Sequence, residues 1–334
     1  MRHARTHRSA FYTIFPTPQY LTMDTVGIDI SPKSVCAMKL VQNKVGFVPE
    51  IFKEEKLIEE CELLESKDDL KRCEPLRGAL LKLKEELNLT FVKVSLPEMK
   101  TYIFKTSVPE EALETIEDAL TVKLQENVPL NPNDILYDFH ILPQRTLQKT
   151  IDVVVTVFPK NVITAYTELL NDIGLIPVVF ESESQSNARA LMHPEDSTPY
   201  LLMHMGYTKV SLAIVERGMV HYTSSIPYPS EEIVKDFTAQ PAQALKAKIN
   251  TLLVYWFTNK HNPEENEKIS NTILTGPFAA APGLVEFLEK HLRINVDIAN
   301  VWKNCFDINE HIPDISQEDA LRYSTAIGLS LLEH

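Results

Sequence analysis

Glycine is scarce in this chain of 334 residues, which contains only nine. Neither the G-x-G-x-x-G pattern of dinucleotide-binding folds nor the Walker A pattern of P-loop proteins occurs in it. Both patterns need glycines so that the backbone can approach phosphate groups closely. Their absence excludes these two common kinds of nucleotide site.

Cysteine is scarce as well, with residues only at positions 36, 61, 73 and 305. None of them forms a C-x-x-C pair, so the sequence indicates neither a zinc site nor a disulfide framework. The ten histidines show no H-E-x-x-H or other ligand spacing, and we predict no metal ligands. A reducing, cytoplasmic setting is the simplest interpretation.

An excess of positive charge is also missing, since the formal net charge is −13 at pH 7. This argues against nucleic acid as a partner, because such affinity comes from clustered lysine and arginine. It argues equally against broad docking on an anionic membrane. No apolar run approaches the roughly 20 residues that span a bilayer, so we expect no direct membrane insertion.

The first 22 residues are basic and then mildly apolar, and Pro16 and Pro18 interrupt the apolar part. This composition makes a poor signal peptide. Met23 stands just before the first clear strand pattern. We therefore expect residues 1–22 to be a disordered extension or an artefact of start-site choice. The rest of the chain is long enough for two or more domains with cores of their own.

One short stretch, residues 26–40, predicts a β-hairpin. An apolar run ends at Asp29, a polar turn follows with Ser31, Lys33 and Ser34, and a second alternating strand comes after it. An acid at the end of a buried strand beside a hydroxyl-rich turn suits a phosphate or a metal-bound phosphate. Asp29 either orients the metal of a nucleotide or caps its own turn, and Lys33 either reaches a phosphate or is solvated.

The same pattern returns 175 residues later. Residues 200–222 match residues 25–47 without a gap, strand for strand and turn for turn, so that Asp29 falls on His204. Sequence identity between the two blocks is almost nil, and an internal duplication and a chance similarity are both open at this point. A polar, proline-bounded stretch at residues 193–199 precedes the second block and is a candidate domain boundary.

The remaining segments alternate between helical and strand patterns. Residues 55–88 are charged and helical in pattern, with an interruption near Pro75. The other predicted strands lie at 91–96, 101–108, 135–142, 151–158, 176–180, 269–274 and 296–298, and the other predicted helices at 110–127, 161–171, 231–260, 284–292 and 320–332.

Four stretches together point to a known family. They are VGIDISPKSVCAMKL, VKVSLPEMKTYIFKTSVP followed by VPLNPNDILYDFHIL, YLLMHMGYTKVSLAIVERGMVHYTSSIP, and ILTGPFAAAPGLVEFLEKHL. In this order they resemble the first phosphate loop, the inserted subdomain, the second phosphate loop and the adenosine loop of the type IV pilus assembly protein PilM family. This family is actin-like and related to the cell-division protein FtsA. The resemblance runs from about Asp24 to the end of the chain.

The resemblance implies an α/β, actin-like fold of two RNase H-like lobes, with an inserted strand-helix-strand-strand subdomain. The first lobe is expected over residues 23–198, with the insert at approximately 91–160, and the second lobe over 199–334. The implied cofactors are ATP and Mg²⁺. The implied nucleotide-binding residues are Asp29, Ser31, Lys33, Ser34, Glu183, Gly206, Thr208 and Gly276. For Glu183, a plain acid at a helix N-terminus is the alternative.

The resemblance also implies partners. Proteins of this family are cytoplasmic and bind the short N-terminal peptide of the inner-membrane protein PilN in a groove beside the inserted subdomain. They thereby connect the membrane platform to the pilus motor ATPases. We therefore expect a PilN-like membrane protein as partner and a location at the inner face of the cytoplasmic membrane. A pilus motor ATPase and self-association are further candidates.

Two departures from the family pattern bear on activity. The family usually has aspartate in the second loop, where it helps to hold Mg²⁺ or the attacking water, whereas this chain has His204. A histidine cannot supply a hard anionic oxygen to Mg²⁺. The adenosine loop is usually a run of glycines, whereas Pro277, Phe278 and Ala279 follow Gly276 here and would narrow the adenine site.

The sequence therefore predicts a scaffold or adaptor of a type IV pilus machine, or of a related secretion or competence machine, with a degenerate nucleotide site. We expect no ATPase activity or very weak activity, and we name no catalytic residue. The alternatives are an active Mg-ATP-binding actin-like ATPase and an FtsA-like division filament protein. Residues 323–334 argue against the second alternative, because they are apolar and short rather than basic and amphipathic.

Overall fold

The computed structural model describes residues 24–142, 149–259 and 269–332. The extension expected at residues 1–22 lies outside these ranges. The strands are β1 (Thr25–Ile30), β2 (Ser34–Asn43), β3 (Gly46–Lys56), β4 (Phe91–Leu96), β5 (Tyr102–Pro109), β6 (Ile135–Ile141), β7 (Thr150–Pro159), β8 (Ile176–Ser182), β9 (Tyr200–Met205), β10 (Val210–Glu216), β11 (Met219–Ile226), β12 (Asn271–Thr275) and β13 (Asn295–Ile298). The α-helices are α1 (Glu74–Leu87), α2 (Ile116–Asn127), α3 (Lys160–Asp172), α4 (Glu183–Leu191), α5 (Ser230–Lys235), α6 (Gln240–Asn259), α7 (Leu284–Leu292), α8 (Gln317–Ala320) and α9 (Ser324–Ser330).

Two of the sheets have the same strand order. The first sheet runs β3-β2-β1-β4-β8, and the second sheet runs β11-β10-β9-β12-β13. In each, an antiparallel hairpin comes first and its inner strand then pairs in parallel with the next strand. The register is the same as well, since Gly27 faces Met38 and Leu202 faces Ala213, with both numbers shifted by 175. This agrees with the strand pattern that residues 25–47 and 200–222 share and with the two lobes expected from the sequence.

The third, inserted sheet is smaller and antiparallel, with the order β5-β7-β6. Helix α2 covers it and buries Ile116, Leu120 and Leu124 against the valines of β7 in a core of their own. The unit formed by β5, α2, β6 and β7 is a strand-helix-strand-strand insert. Strand β4, at the start of the segment expected to form the insert, pairs instead with β1 and β8. Its nearly continuous burial is that of a central parallel strand.

Two helices begin later than the sequence predicted. The region at residues 55–88 is helical only from Glu74, because β3 continues to Lys56 and a 3₁₀-helix occupies Lys67–Arg72. Pro75 lies in the first turn of α1, where its missing N–H is not needed, so it marks the start of a helix rather than an interruption. The helix predicted from residue 110 opens as a 3₁₀-helix over Glu110–Thr115, a turn that buries none of its residues.

The core is arranged around the first sheet. Helices α1 and α3 cover one face of it in one cluster of buried side chains. On the opposite face, α4 and α9 belong to a larger cluster that continues into the second sheet. These two helices pack so closely that a Cβ built on Gly328 would collide with the carbonyl oxygen of Ser186. One continuous core therefore connects the two sheets and fixes the ends of β1 and β9 relative to each other.

Within the described ranges, no helix has both the length and the apolar character needed to cross a membrane.

Candidate functional site

A cavity of about 160 Å³ lies where the turn after β1 meets the turn after β9. We call residues 31–34 the first loop and residues 206–209 the second loop. Each loop is closed by the same backbone hydrogen bond, from Ser31 N–H to the Ser34 carbonyl (2.9 Å) and from Gly206 N–H to the Lys209 carbonyl (3.1 Å). Pockets that enclose organic ligands usually measure about 300–1,000 Å³. The space between the loops is therefore small for a nucleotide.

Asp29 lies near the end of β1 and lines this cavity. Its Oδ1 atom accepts a hydrogen bond from Ser95 Oγ on β4 at 2.5 Å, so the carboxyl group bonds across the sheet. Burial, followed by the nearby charge of Glu183, raises the pKa of Asp29 from 3.8 to about 7, against the opposing hydrogen bond of Ser95. A carboxyl group with this pKa is only partly ionised at neutral pH, which weakens it as a cation ligand.

The first loop is held by its own side chains. Ser31 Oγ accepts from the Ser34 N–H at 3.0 Å and donates to the Ser34 carbonyl at 2.9 Å, and both serines line the cavity. Lys33 points elsewhere, because its Nζ atom lies 3.7 Å from a carboxylate oxygen of Glu60 and its side chain is 43% exposed. Lys33 is not among the residues that line the cavity, and its contact with a phosphate stays a prediction.

The second loop contributes a buried cation. Gly206, Thr208 and Lys209 line the cavity, and Lys209 Nζ donates to Glu183 Oε2 at 2.8 Å. Glu183 is the first residue of α4, and both side chains are about nine-tenths buried. Burial alone would raise the pKa of Glu183, but the attraction of the Lys209 ammonium lowers it to about 2. Glu183 is therefore an ionised carboxylate that is already paired.

His204, near the end of β9, lies beside this pair. Its Nε2 atom is 3.6 Å from Glu183 Oε1, and its Nδ1 atom is 3.4 Å from Asn187 Nδ2. Burial lowers the pKa of His204, and the attraction of Glu183 opposes this only in part. The imidazole is therefore neutral at pH 7 and contributes no charge to the cavity.

Glu98 is a third buried acid near Lys209. It stands in a short 3₁₀-helix, Glu98–Lys100, and its Oε2 atom accepts from the Ser184 N–H at 3.1 Å. Burial, with the repulsion of Glu183, raises the pKa of Glu98 against the attraction of Lys209. Among the described residues, no group of three or more histidine, cysteine, aspartate or glutamate side chains is arranged to hold a metal ion.

The loop between β12 and α7 packs directly onto the second loop. Gly276 has a φ of +92°, and a Cβ there would lie 2.9 Å from Met205 N and O. The Phe278 N–H donates to the Met205 carbonyl at 3.3 Å, and the Phe278 ring meets Tyr207 edge-on at 5.7 Å. Pro277 lines the cavity, whereas Gly276 is not among its lining residues. The side chains of Pro277 and Phe278 thus occupy space beside the second loop that a run of glycines would leave empty.

Several residues that determine the charge of this site are not evident from sequence patterns. Lys209 aligns with Ser34 at the offset of 175, and a lysine in a loop gives no sign that it is buried. Its partner Glu183 lies 26 positions earlier, on another element. Ser95 lies within the apolar strand β4 and Glu98 follows this strand, and only the pairing of β4 with β1 brings Ser95 to Asp29. The shared turn geometry was the one signal in the sequence that could have drawn attention to Lys209.

Solved structures with similar folds are known. A PilM-PilN type IV pilus biogenesis complex has a chain that is similar with a TM-score of 0.73 at 16% identity, covering 92% of this chain and 98% of that one. The cytoplasmic domain of EpsL, an inner-membrane component of the type II secretion system of Vibrio cholerae, gives a TM-score of 0.48 at 13% identity, covering 90% and 93%. MreB5 of Spiroplasma citri bound to ADP gives 0.47 at 10% identity, covering 90% and 94%.

The strand order of the two sheets, their facing turns and the insert are those of an actin-like fold. No curated protein matches the sequence. The family model described as type IV pilus assembly protein PilM matches residues 27–253, which include the whole insert and both loops. The chain therefore belongs to the type IV pilus assembly protein PilM family.

Proposed function

We propose that this chain is a type IV pilus adaptor that binds the N-terminal cytoplasmic peptide of a PilN-like inner-membrane protein and needs no nucleotide turnover to do so. Membership of the PilM family supports the pilus role, and the similar chain in a PilM-PilN complex supports the partner. Binding to such a partner would place the chain at the cytoplasmic face of the membrane. A pilus motor ATPase as second partner and self-association stay predictions.

The observation that carries the nucleotide-independent part is the buried pair of Lys209 and Glu183. In an Mg-ATP site, a carboxylate at the position of Glu183 would have to face water or metal ligands, and here it faces an ammonium group at 2.8 Å. Neutral His204 offers no anionic oxygen, and Asp29 is only partly ionised. These residues do not fit Mg-ATP in the geometry they adopt.

The insert supports the peptide-binding part. Several of its apolar side chains are exposed, as is Met99 where the chain enters it, and exposed apolar groups of this kind often mark binding surfaces. They are Met99, Leu113, Val122, Leu136 and Ile141. Strand β5 of the insert also lies against β11 of the second sheet. Extended peptides commonly bind along grooves and sheet edges of this kind.

Isothermal titration with the N-terminal peptide of a candidate PilN-like protein tests the proposal. We expect saturable 1:1 binding whose Kd changes by less than about twofold when Mg-ATP is added, because a ligand that does not distinguish two states cannot shift them. Val122→Glu and Leu136→Glu should weaken binding. Val254→Glu is the matched control, because Val254 is an exposed apolar residue of α6 outside the insert.

Two results would contradict the proposal. One is the absence of binding to any PilN-like peptide by the folded chain. The other is micromolar binding of Mg-ATP together with measurable phosphate release, which would support the active ATPase instead.

A further inference from the structure

The second loop is connected to the first sheet and its neighbouring elements at two separate points. The first point is the pair of Lys209 and Glu183, which joins the loop to the start of α4 at 2.8 Å. The side chains are 11% and 9% exposed, so solvent screens the attraction little. Since Glu183 directly follows β8 of the first sheet, this pair fixes the loop relative to that sheet.

Lys209 also interacts electrostatically with two further acids. The positive charge of Lys209 acts to lower the pKa of Asp29, on β1, and of Glu98, which follows β4, against the effect of burial. Glu98 Oε1 is buried and has no hydrogen-bond partner among the described residues. One ammonium group thus stands among three carboxyl groups that come from three elements on the first-sheet side. A single buried cation in this position attracts all three elements to the second loop.

The second point of connection is Tyr207, two residues earlier in the loop. Its hydroxyl donates to Glu54 Oε1 of β3 at 2.9 Å, and Arg322 Nη1 donates to Glu54 Oε2 at 2.8 Å. The side chain of Glu54 is only 8% exposed. Each of its two carboxylate oxygens accepts a hydrogen bond from one of these donors. The Tyr207 ring is also fixed on its other side by Phe278.

We propose that Lys209 and Tyr207 form a latch that holds the second loop against the first sheet through side chains alone, so that closure of the cleft requires no bound cation or phosphate. In this arrangement the Lys209 ammonium supplies the positive charge between the acids that a metal ion would otherwise supply. The inference rests on the proposed nucleotide-independent function and gives it a physical cause. It also assigns a role to Tyr207, Glu54 and Arg322.

Hydrogen–deuterium exchange of the full-length chain without added nucleotide tests the latch. Tyr207→Phe removes one hydrogen bond and keeps the ring contact with Phe278. We expect peptides that contain residues 31–34 and 206–209 to exchange up to about tenfold faster in this variant, as loss of one hydrogen bond allows. Lys209→Met should produce a larger increase in the same peptides.

Tyr200→Phe is the matched control. Its hydroxyl donates to Asp196 Oδ2 at 3.0 Å, which is the same kind of bond but connects residues four positions apart on the second-sheet side. This variant should leave exchange in residues 31–34 unchanged. If Lys209→Met fails to fold because Glu183 is left unpaired, the double variant Lys209→Met with Glu183→Gln removes both charges and takes its place.

The possible outcomes separate the latch from the proposed function. Wild-type exchange rates at both loops in Tyr207→Phe and in the lysine variant would overturn the latch. Faster exchange in the variants, combined with no response of the wild-type loops to Mg-ATP, supports the latch and the nucleotide-independent function together. A third outcome is faster exchange in the variants combined with strong protection of the wild-type loops by Mg-ATP. It would show that the side chains connect the second loop to the first sheet. It would also refute the nucleotide-independent function and the proposal that closure requires no ligand.

Discussion

Asp29 and His204 occupy the same place in two sheets of the same design. Asp29 faces Cys36 across the first hairpin, and His204 faces Ser211 across the second, with both numbers shifted by 175. The carboxyl group of Asp29 receives a hydrogen bond from Ser95, whereas the neutral ring of His204 lies beside Glu183. Among the described residues that line the cavity, the acids are Asp29 and Glu183, and neither belongs to the second sheet.

Replacing His204 by aspartate, the residue that the family resemblance leads us to expect here, should destabilise this chain. The new carboxylate would lie near Glu183, whose Oε1 atom is 3.6 Å from His204 Nε2, and Lys209 cannot fully neutralise two acids. We expect a loss of about 1–3 kcal/mol in the free energy of unfolding at neutral pH. Urea denaturation measures it, with His204→Asn as the uncharged control. A His204→Asp variant as stable as wild type, and able to bind Mg-ATP, would contradict this account.

Asp29 should make stability depend on pH between about pH 4 and pH 7. Its pKa is raised from 3.8 to about 7 in the folded chain, so folding favours the protonated form. The stabilisation that protonated Asp29 provides is fully present below 3.8, the pKa of this group in the unfolded chain, and is lost as the pH rises through about 7. Because the side chain lines a cavity and solvent partly screens its charge, we expect the free energy of unfolding to fall by about 2–4 kcal/mol over this range.

Asp29→Asn removes this dependence, because the amide does not titrate. The variant should gain stability relative to wild type at about pH 8 and lose that advantage at about pH 5. Thermal unfolding at both values measures the difference. Ser95→Ala should move the alkaline loss to higher pH, since the Ser95 hydrogen bond lowers the pKa of Asp29. Equal pH profiles for wild type and Asp29→Asn would show that Asp29 is ionised throughout.

Local patterns were enough to predict the hairpins, the repeat and most strand boundaries. An apolar run predicted β1 and an alternating pattern predicted β2, and the matching pattern 175 positions later predicted β9 and β10. The partners of buried charges were not predictable in this way. Glu54 and Tyr207 are 153 positions apart, and nothing in either neighbourhood indicates that they meet. Lys33 and Lys209 look equally solvated in the sequence, and only tertiary packing buries the second one.

Gly328 should tolerate no side chain. A Cβ there would collide with the backbone of Ser186, and neither helix can move without disturbing the core between the sheets. We expect Gly328→Ala to lose at least about 1–3 kcal/mol of stability.

Gly78→Ala is the opposite case, because nothing lies within 4 Å of a Cβ at this exposed position in α1. It should gain about 0.5–1 kcal/mol from helix propensity. Chemical denaturation of both variants tests the pair, and a neutral Gly328→Ala would refute the tight contact of α4 with α9.

The pair of Lys209 and Glu183 should show strong energetic coupling. Lys209→Met or Glu183→Gln alone leaves one buried group unsatisfied, at a cost of about 3–5 kcal/mol for a lone charge. The double variant should cost much less than the sum, giving a coupling energy above about 2 kcal/mol in a double-mutant cycle. Arg77 and Asp172, 3.0 Å apart but 29% and 56% exposed, provide the surface control, with an expected coupling below about 1 kcal/mol.

The acid side of the pH profile gives an independent check on the same pair. Because the pKa of Glu183 is lowered from 4.5 to about 2, its stabilising effect is present above 4.5 and is lost as the pH falls towards 2. Wild type should therefore lose more stability on acidification than Glu183→Gln does. If the two lose stability in parallel and the cycle shows no coupling, then Lys209 does not hold Glu183 in solution, and a metal ion or a phosphate would regain access to both.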